Sequence, residues 1–407
     1  MNYLTIIFII LFALSLTDFI YPRQEKLHKQ MYAIAFGLTY FLFTIKYYYG
    51  GDIIFYSHLY DSIASPVVLL SDPSNKLLGN YMEPGFLLFL STLKHLGFSF
   101  WMMTAIVSTI YFYAIYLLFK KIPSKKTFAL LILVVLDFNL IFATFRQCLA
   151  VSFFIFMLLA YIDKKYWKSI LFLILALSMH KSTLFACAFL VIALTLKSYK
   201  STKHNYYFLI VLLFLFSLFS FSDTIRFILE KTNASEWIIF SVEHHLLLAQ
   251  RLQSIFVLYF ITIFTVAFYY RNEEDTGREK RIIQWVSFVA LLMVVVLYQY
   301  WYLLTRFRSF FIPIVLVFVF RLLHEHKAKY IWFRQGAVIC IYLLFSALIT
   351  RRAIEQNNLE SGIYDTSTIF SRITKSEEQI KKEQLRKANI FWSKEFGKPL
   401  EQSNIND

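Results

Sequence analysis

The sequence predicts an all-α, polytopic integral membrane protein of about 12 transmembrane helices, and three observations carry that expectation. Of 407 residues, 58% are hydrophobic and only 16% are charged. The apolar residues fall in runs of one or two membrane lengths, a single crossing needing about 20 residues. Between the runs lie short basic loops such as "KKIPSKK", with Lys120, Lys121, Lys125 and Lys126, and "DKKYWK", with Lys164, Lys165 and Lys168. A formal charge of +15 would suggest nucleic acid in a soluble chain. Concentrated in loops, it is a positive-inside topology signal instead, and no nucleic-acid partner is expected. Cys148, Cys187 and Cys340 all lie in apolar runs, with neither metal-ligand nor disulfide spacing.

The elements follow in order. Tyr3 to Ile20 reads as the first crossing, because it lacks the basic leader and Ala-x-Ala-like site of a signal peptide. "PRQEKLHK" reads as cytoplasmic, so a second helix, Met31 to Tyr48, leads to an outer loop over residues 50–82. Reaching the lysines after Phe119 then needs an odd number of crossings. One is placed at Phe98 to Phe119, with "PGFLLFLSTLKHLG" as a re-entrant or interfacial helix. Thr127 to Ile162 carries only Asp137 and Arg146 as charges. Its length of about 36 residues reaches about 54 Å as a helix, near twice the hydrocarbon core of about 30 Å. Split at Arg146, it becomes a hairpin with basic loops at both ends and its turn outside.

The run after Lys168 makes two short helices turning near His180, followed by an outer loop over residues 222–251. From Ile282 to Phe320 the only charges are Arg306 and Arg308, so a further hairpin is expected, with Arg306 at its turn. A last helix, Ile331 to Ile349, closes a transmembrane domain over residues 1–350. Residues 351–407 form a charged tail with heptad-like patches such as "SEEQIKKEQLRKANIFW". The helix count puts the tail outside, whereas Arg351 and Arg352 point to the cytoplasm.

Polar groups therefore converge on the outer face: Asp52, Glu83, Arg146 with Gln147, His180 with Lys181, and Arg306. Asp52, Tyr56 and Tyr60 share one helical face at i, i+4 and i+8. Each has a bland reading. Arg146 suits a cation snorkelling to headgroups, His180 a hydrogen-bonded interfacial histidine, the tyrosines an aromatic belt, and Pro84–Gly85 a helix start. The adjoining His244 and His245 are poor geometry for a shared metal, so neither metal nor cofactor is expected. As a set, two arginines with carboxylates and a histidine fit a lipid-linked pyrophosphate substrate. Guanidinium forks match phosphate oxygens, and a carboxylate or histidine can take the proton of an attacking sugar hydroxyl. No glycine-rich phosphate loop suggests a nucleotide sugar.

The order "GGD" with Tyr56 and Tyr60, "EPGF", Arg146–Gln147 with Ala150, "HKS" and a late arginine before an aromatic helix resembles the EpsG family of bacterial polysaccharide polymerases, relatives of the Wzy-type O-antigen polymerases. The resemblance covers roughly Tyr47 to Phe320. The family usually carries an arginine shortly before the glycine–aspartate pair, where this chain has Lys46. The resemblance implies a GT-C-like, Wzy-like helical bundle in the bacterial inner membrane. There it would join undecaprenyl-pyrophosphate-linked oligosaccharides into O-antigen, capsule or exopolysaccharide, beside a flippase and a chain-length regulator. Arg146, Gln147, Arg306 and Tyr56 would bind substrate; Asp52 or His180 would be the base, with Glu83 as the alternative or a positioning group. A flippase, an O-antigen ligase and a membrane acyltransferase are the competing readings.

Overall fold

The computed structural model describes residues 3–21, 23–48, 52–71, 82–196, 277–296, 301–325, 371 and 373–396. Among them are thirteen α-helices and no strand. In chain order these are α1 (Tyr3–Ile20), α2 (Glu25–Thr44), α3 (Asp52–Ser62), α4 (Pro66–Ser71), α5 (Pro84–His95), α6 (Phe100–Phe119), α7 (Lys126–Ala143) and α8 (Phe145–Ile162). They continue with α9 (Tyr166–Met179), α10 (Ser182–Leu196), α11 (Arg278–Val296), α12 (Trp301–Glu325) and α13 (Glu377–Phe396). Among the described residues, α6 and α8 are long and apolar enough to cross a membrane unaided. Shorter apolar helices are Ile6–Ile20, Tyr166–Met179 and Ser182–Thr195.

The chain forms two compact units. The first comprises residues 1–153, 172–180 and 327–407. In it α1, α2 and α7 pack together, α6 lies against α2, and α5 touches α3, α4 and α6. The contact of α1 with α7 has a polar anchor. Lys125 precedes α7 in a left-handed conformation and offers no side-chain cap. Asp18, at the end of α1, supplies one instead, its Oδ2 accepting from the Phe128 N–H at 3.0 Å. Helix N–H groups need such an acceptor when no water reaches them. Phe19 meets Phe128 edge-on at 5.1 Å, and the Lys125 ammonium lies over the Phe19 ring at 4.3 Å.

The second unit comprises residues 154–171 and 181–326. In it α10, α11 and α12 pack together. Glu279 near the start of α11 pairs with Arg321 near the end of α12, fixing them antiparallel. Arg278 donates to the Tyr161 carbonyl at 3.1 Å and lies over the Tyr161 and Tyr166 rings, so α11 begins beside the lysine loop at 164–168.

Several boundaries differ from expectation for physical reasons. The second helix begins at Glu25, not Met31, because charged residues continue a helix into solvent as readily as apolar ones, Glu25 facing Lys29 at i+4. It ends at Thr44 instead of Tyr48. The hairpin break falls at Thr144, not Arg146, and puts the arginine in the first turn of α8. Residues 83–119 resolve into α5 and α6, as expected of a short helix and one crossing. Gly97, at φ +85°, ends α5 in the left-handed conformation that glycine adopts without strain. Helices α9 and α10 separate at His180–Lys181, the expected turn. The expected loop at 222–251, His244 and His245, Cys340 and the last helix at 331–349 lie outside the described residues.

Candidate active site

The site is built on α3, an eleven-residue helix. At about 16 Å it cannot span a membrane, and a helix that short is marginal unless neighbours hold it. Helix α5 holds its far end. Lys94 Nζ donates to the carbonyls of Asp61 and Ile63 at 2.7 and 3.1 Å, satisfying acceptors that the helix C-terminus leaves open. Ser91 donates to the Ala64 carbonyl at 2.6 Å, and the Tyr60 hydroxyl donates to the Phe98 carbonyl at 2.7 Å.

One turn before Tyr60, Tyr56 is buried, its ring 5.7 Å from Phe86 of α5 and 5.3 Å from Phe145 of α8. Its hydroxyl accepts from Arg146 Nε at 3.2 Å. Arg146 Nη1 donates to Glu83 Oε2 at 2.7 Å. Glu83 is the extended residue that precedes Pro84, the first residue of α5, where a missing N–H is harmless. Three separated stretches of sequence thus meet at one guanidinium. The Glu83 side chain is 6% exposed and that of Arg146 22%, so the cation keeps one side toward the surroundings while its carboxylate does not.

The electrostatics assign states. Burial pushes the Tyr56 phenol above its ordinary pKa, and the adjacent Arg146 only partly opposes this. The phenol is therefore neutral at pH 7, an acceptor toward Arg146 and not a base. Glu83 is committed to the guanidinium, which makes it a positioning group before it is a proton acceptor. Arg146 also sits where the N-terminal dipole of α8 favours an anion.

Of the other expected residues, Asp52 is the exposed first residue of α3, and its charge acts on Tyr56 one turn away. Gln147 is buried beside Arg146, and His180 is buried at the end of α9. The end of α9 reaches α5 through a contact that only glycine permits. A Cβ on Gly85 would collide with Ser178 Oγ and lie 2.8 Å from the Ser178 carbonyl oxygen. Glu83 and His180 are thus each two residues from one tight helix contact. Arg306 belongs to the second unit, partly buried in the second turn of α12, and Arg308 two residues on is more deeply buried.

Two contacts escape sequence reading, although Lys46 itself stands out in the sequence. Lys46 is buried, its Nζ 4.7 Å from the centre of the Phe145 ring, next to the residue that precedes Arg146. A lysine at the end of an apolar run was the available signal. The Gly85–Ser178 approach left none. Among the described residues, no group of three or more His, Cys, Asp or Glu is arranged to hold a metal ion.

Long apolar helices, with a partly exposed arginine in the first turn of one of them, are compatible with a helical membrane protein. Its family is shown by sequence: the EpsG family model matches residues 29–364, well over half of the chain, which therefore belongs to that family. The family connects it with polysaccharide biosynthesis in membranes. No curated protein and no solved structure matches the chain.

Proposed function

We propose that the protein polymerises oligosaccharide repeat units carried on undecaprenyl pyrophosphate, at the outer face of the bacterial inner membrane. About 12 crossings would carry the chain, with its C-terminal tail on that same face. The observation that carries this reading is Arg146. Its guanidinium is oriented by Glu83 and Tyr56, partly exposed, and set at a helix N-terminus. In the reaction, a terminal sugar hydroxyl of the acceptor attacks the anomeric carbon of the donor. A new glycosidic C–O bond forms as the bond to the pyrophosphate breaks, and the hydroxyl proton passes to a base. Arg146 stabilises the charge gathering on the departing pyrophosphate, an interaction strengthened by low dielectric. Asp52, exposed on α3, and His180 are the proposed bases, and Glu83 fixes the arginine. Gln147 is assigned to substrate binding, as is Arg306 as a further phosphate ligand on the strength of its position near the start of α12. A flippase would deliver the substrate, and a chain-length regulator would set when polymer is released.

Purified protein in nanodiscs, given only the lipid-linked repeat unit of its own host, should yield a ladder of oligomers and free undecaprenyl pyrophosphate. A ligase would make no ladder without a lipid A-core acceptor, and an acyltransferase would leave glycan length unchanged. A flippase would move substrate across a sealed membrane and alter no bond. Any of these three outcomes overturns the assignment.

A further inference from the structure

The family match ends at residue 364, and α13 lies beyond it. Ser376 starts this helix with a reciprocal cap: its Oγ accepts from the Gln379 N–H at 3.2 Å, and Gln379 Oε1 accepts from the Ser376 N–H at 2.9 Å. Ile380, Gln384 and Ala388, at i, i+4 and i+8, form its buried stripe, while Glu378 and Lys382 on another face are about four-fifths exposed.

The helix packs on α3. Lys381 Nζ lies 3.4 Å from Asp61 Oδ2, one residue past Tyr60. Glu377 Oε1 accepts from Trp101 Nε1 at 2.9 Å. Trp101 is itself fixed, stacked on Tyr47 at 3.9 Å and edge-on to Tyr48 at 5.0 Å. The same closeness reaches His58, whose pKa is lowered by burial and then by the Lys381 ammonium. Trp101 is the second residue of α6, and Lys120 and Lys121 follow its last. A twenty-residue helix spans about 30 Å, so α13 lies at the end of α6 away from those lysines.

We propose that α13 is a brace, on the same membrane face as the Arg146 site, that fixes α3 and thereby the Tyr56 hydroxyl against Arg146. Glu377 and Lys381 are then positioning residues. Helix α5 grips the last turn of α3 through backbone carbonyls, and α13 grips it through the Asp61 side chain. Between them they define both the height and the rotation of a helix too short to define its own. Displacing a substrate-orienting group by about 1 Å can cost about 100-fold in rate, so a contact further along the same helix can act on turnover. The role in turnover rests on the polymerase reading; the bracing contact does not.

Three readouts separate them, in full-length protein lacking its native cysteines. The first needs no activity. Ser57→Cys, a small change at a buried position of α3, reports local opening of the helix. Glu377→Ala with Lys381→Asp should speed its thiol labelling about fivefold or more, and Glu377→Gln, which keeps the acceptor oxygen, should not. Unchanged labelling in the double variant overturns the brace, whatever the protein catalyses. The second is sidedness. A cysteine at Lys382 should react with an impermeant reagent under the same conditions as one at Leu96, and under the opposite conditions to one at Lys121. Grouping with Lys121 overturns the brace. If Lys382 and Leu96 label together but only after permeabilisation, the brace stands and the outer-face assignment fails. With polymerase activity in hand, the double variant should lower kcat about 10-fold with KM little changed, and Glu377→Gln should keep the wild-type kcat. A wild-type kcat in the double variant overturns the positioning role.

Discussion

A guanidinium held at Nη1 by Glu83 and at Nε by Tyr56 cannot turn freely, and this separates Arg146 from a cation that merely snorkels to headgroups. Both neighbours are themselves fixed, Glu83 by the start of α5 and Tyr56 by the rings of Phe86 and Phe145. A lysine at 146 keeps the charge but presents a single point donor and not a fork. Arg146→Lys should therefore lower polymerisation about 10- to 100-fold, the worth of one or two charge-assisted hydrogen bonds, with membrane abundance retained on immunoblots. The exchange Glu83→Arg with Arg146→Glu makes the sharper comparison. It should restore abundance relative to Arg146→Glu alone, because a buried carboxylate regains its partner, yet produce no polymer. Polymer of normal yield from the exchanged pair would mean the ion pair is structural. Arg146 itself was legible, since one cation in a long apolar run is conspicuous, and so was the face shared by Asp52, Tyr56 and Tyr60. Its pairing with Glu83 was not, because nothing local links groups 63 residues apart.

Run lengths make the helix breaks legible: a run twice the bilayer thickness must be interrupted, and the chain breaks between α7 and α8 and between α9 and α10. The residue at which it folds is set by backbone preference and not by charge. Arginine is a good helix former, whereas Thr144 is β-branched and ends α7 outside helical geometry, its carbonyl then accepting the Cys148 N–H at 2.9 Å to start α8. The break two residues early is what aims Arg146 from a helix N-terminus. Helix α2 shows the converse limit, because hydropathy marks the apolar stretch but not the charged turns that continue the same helix beyond it. The contact of α5 with α9 was illegible for another reason: "EPGF" reads as a helix start whether or not a second helix presses on the glycine. Gly85→Ala should test that contact. The added methyl meets Ser178 Cβ at 2.5 Å and its carbonyl oxygen at 2.8 Å, so the helices must part, at a cost of about 1–3 kcal/mol. Thermal unfolding in detergent should shift down, and Ser178→Gly should recover only part of the shift, since the backbone oxygen remains.

Sidedness is a property of the whole chain, and every chemical role proposed for Arg146, Asp52 and His180 depends on it. The basic loops supply the argument: Lys120 to Lys126 before one hairpin and Lys164 to Lys168 after it should both be cytoplasmic, which leaves the intervening break outside. Arg278, lying over Tyr161 and Tyr166, ties the start of α11 to the second of those loops, so "RNEEDTGREKR" should share its side. Helices α11 and α12 should then carry Arg306 toward the other face. Labelling can check this only at positions a reagent can reach, which rules out Gln147 and Ser182, both buried, and favours Lys181, Leu96 and Lys164, all exposed. Single cysteines at Lys181 and Leu96, in a chain whose native cysteines are replaced, should react with a membrane-impermeant maleimide in intact spheroplasts. One at Lys164 should react only after permeabilisation. Labelling of Lys164 alone in intact cells would invert every crossing and put Arg146 on the cytoplasmic side, where a lipid-linked repeat unit awaits export and polymerisation at the outer face could not be its reaction. Labelling of Leu96 without Lys181 would break the order between α5 and α10, and His180 would then have to be withdrawn as a candidate base while Arg146, Glu83 and Tyr56 kept their roles.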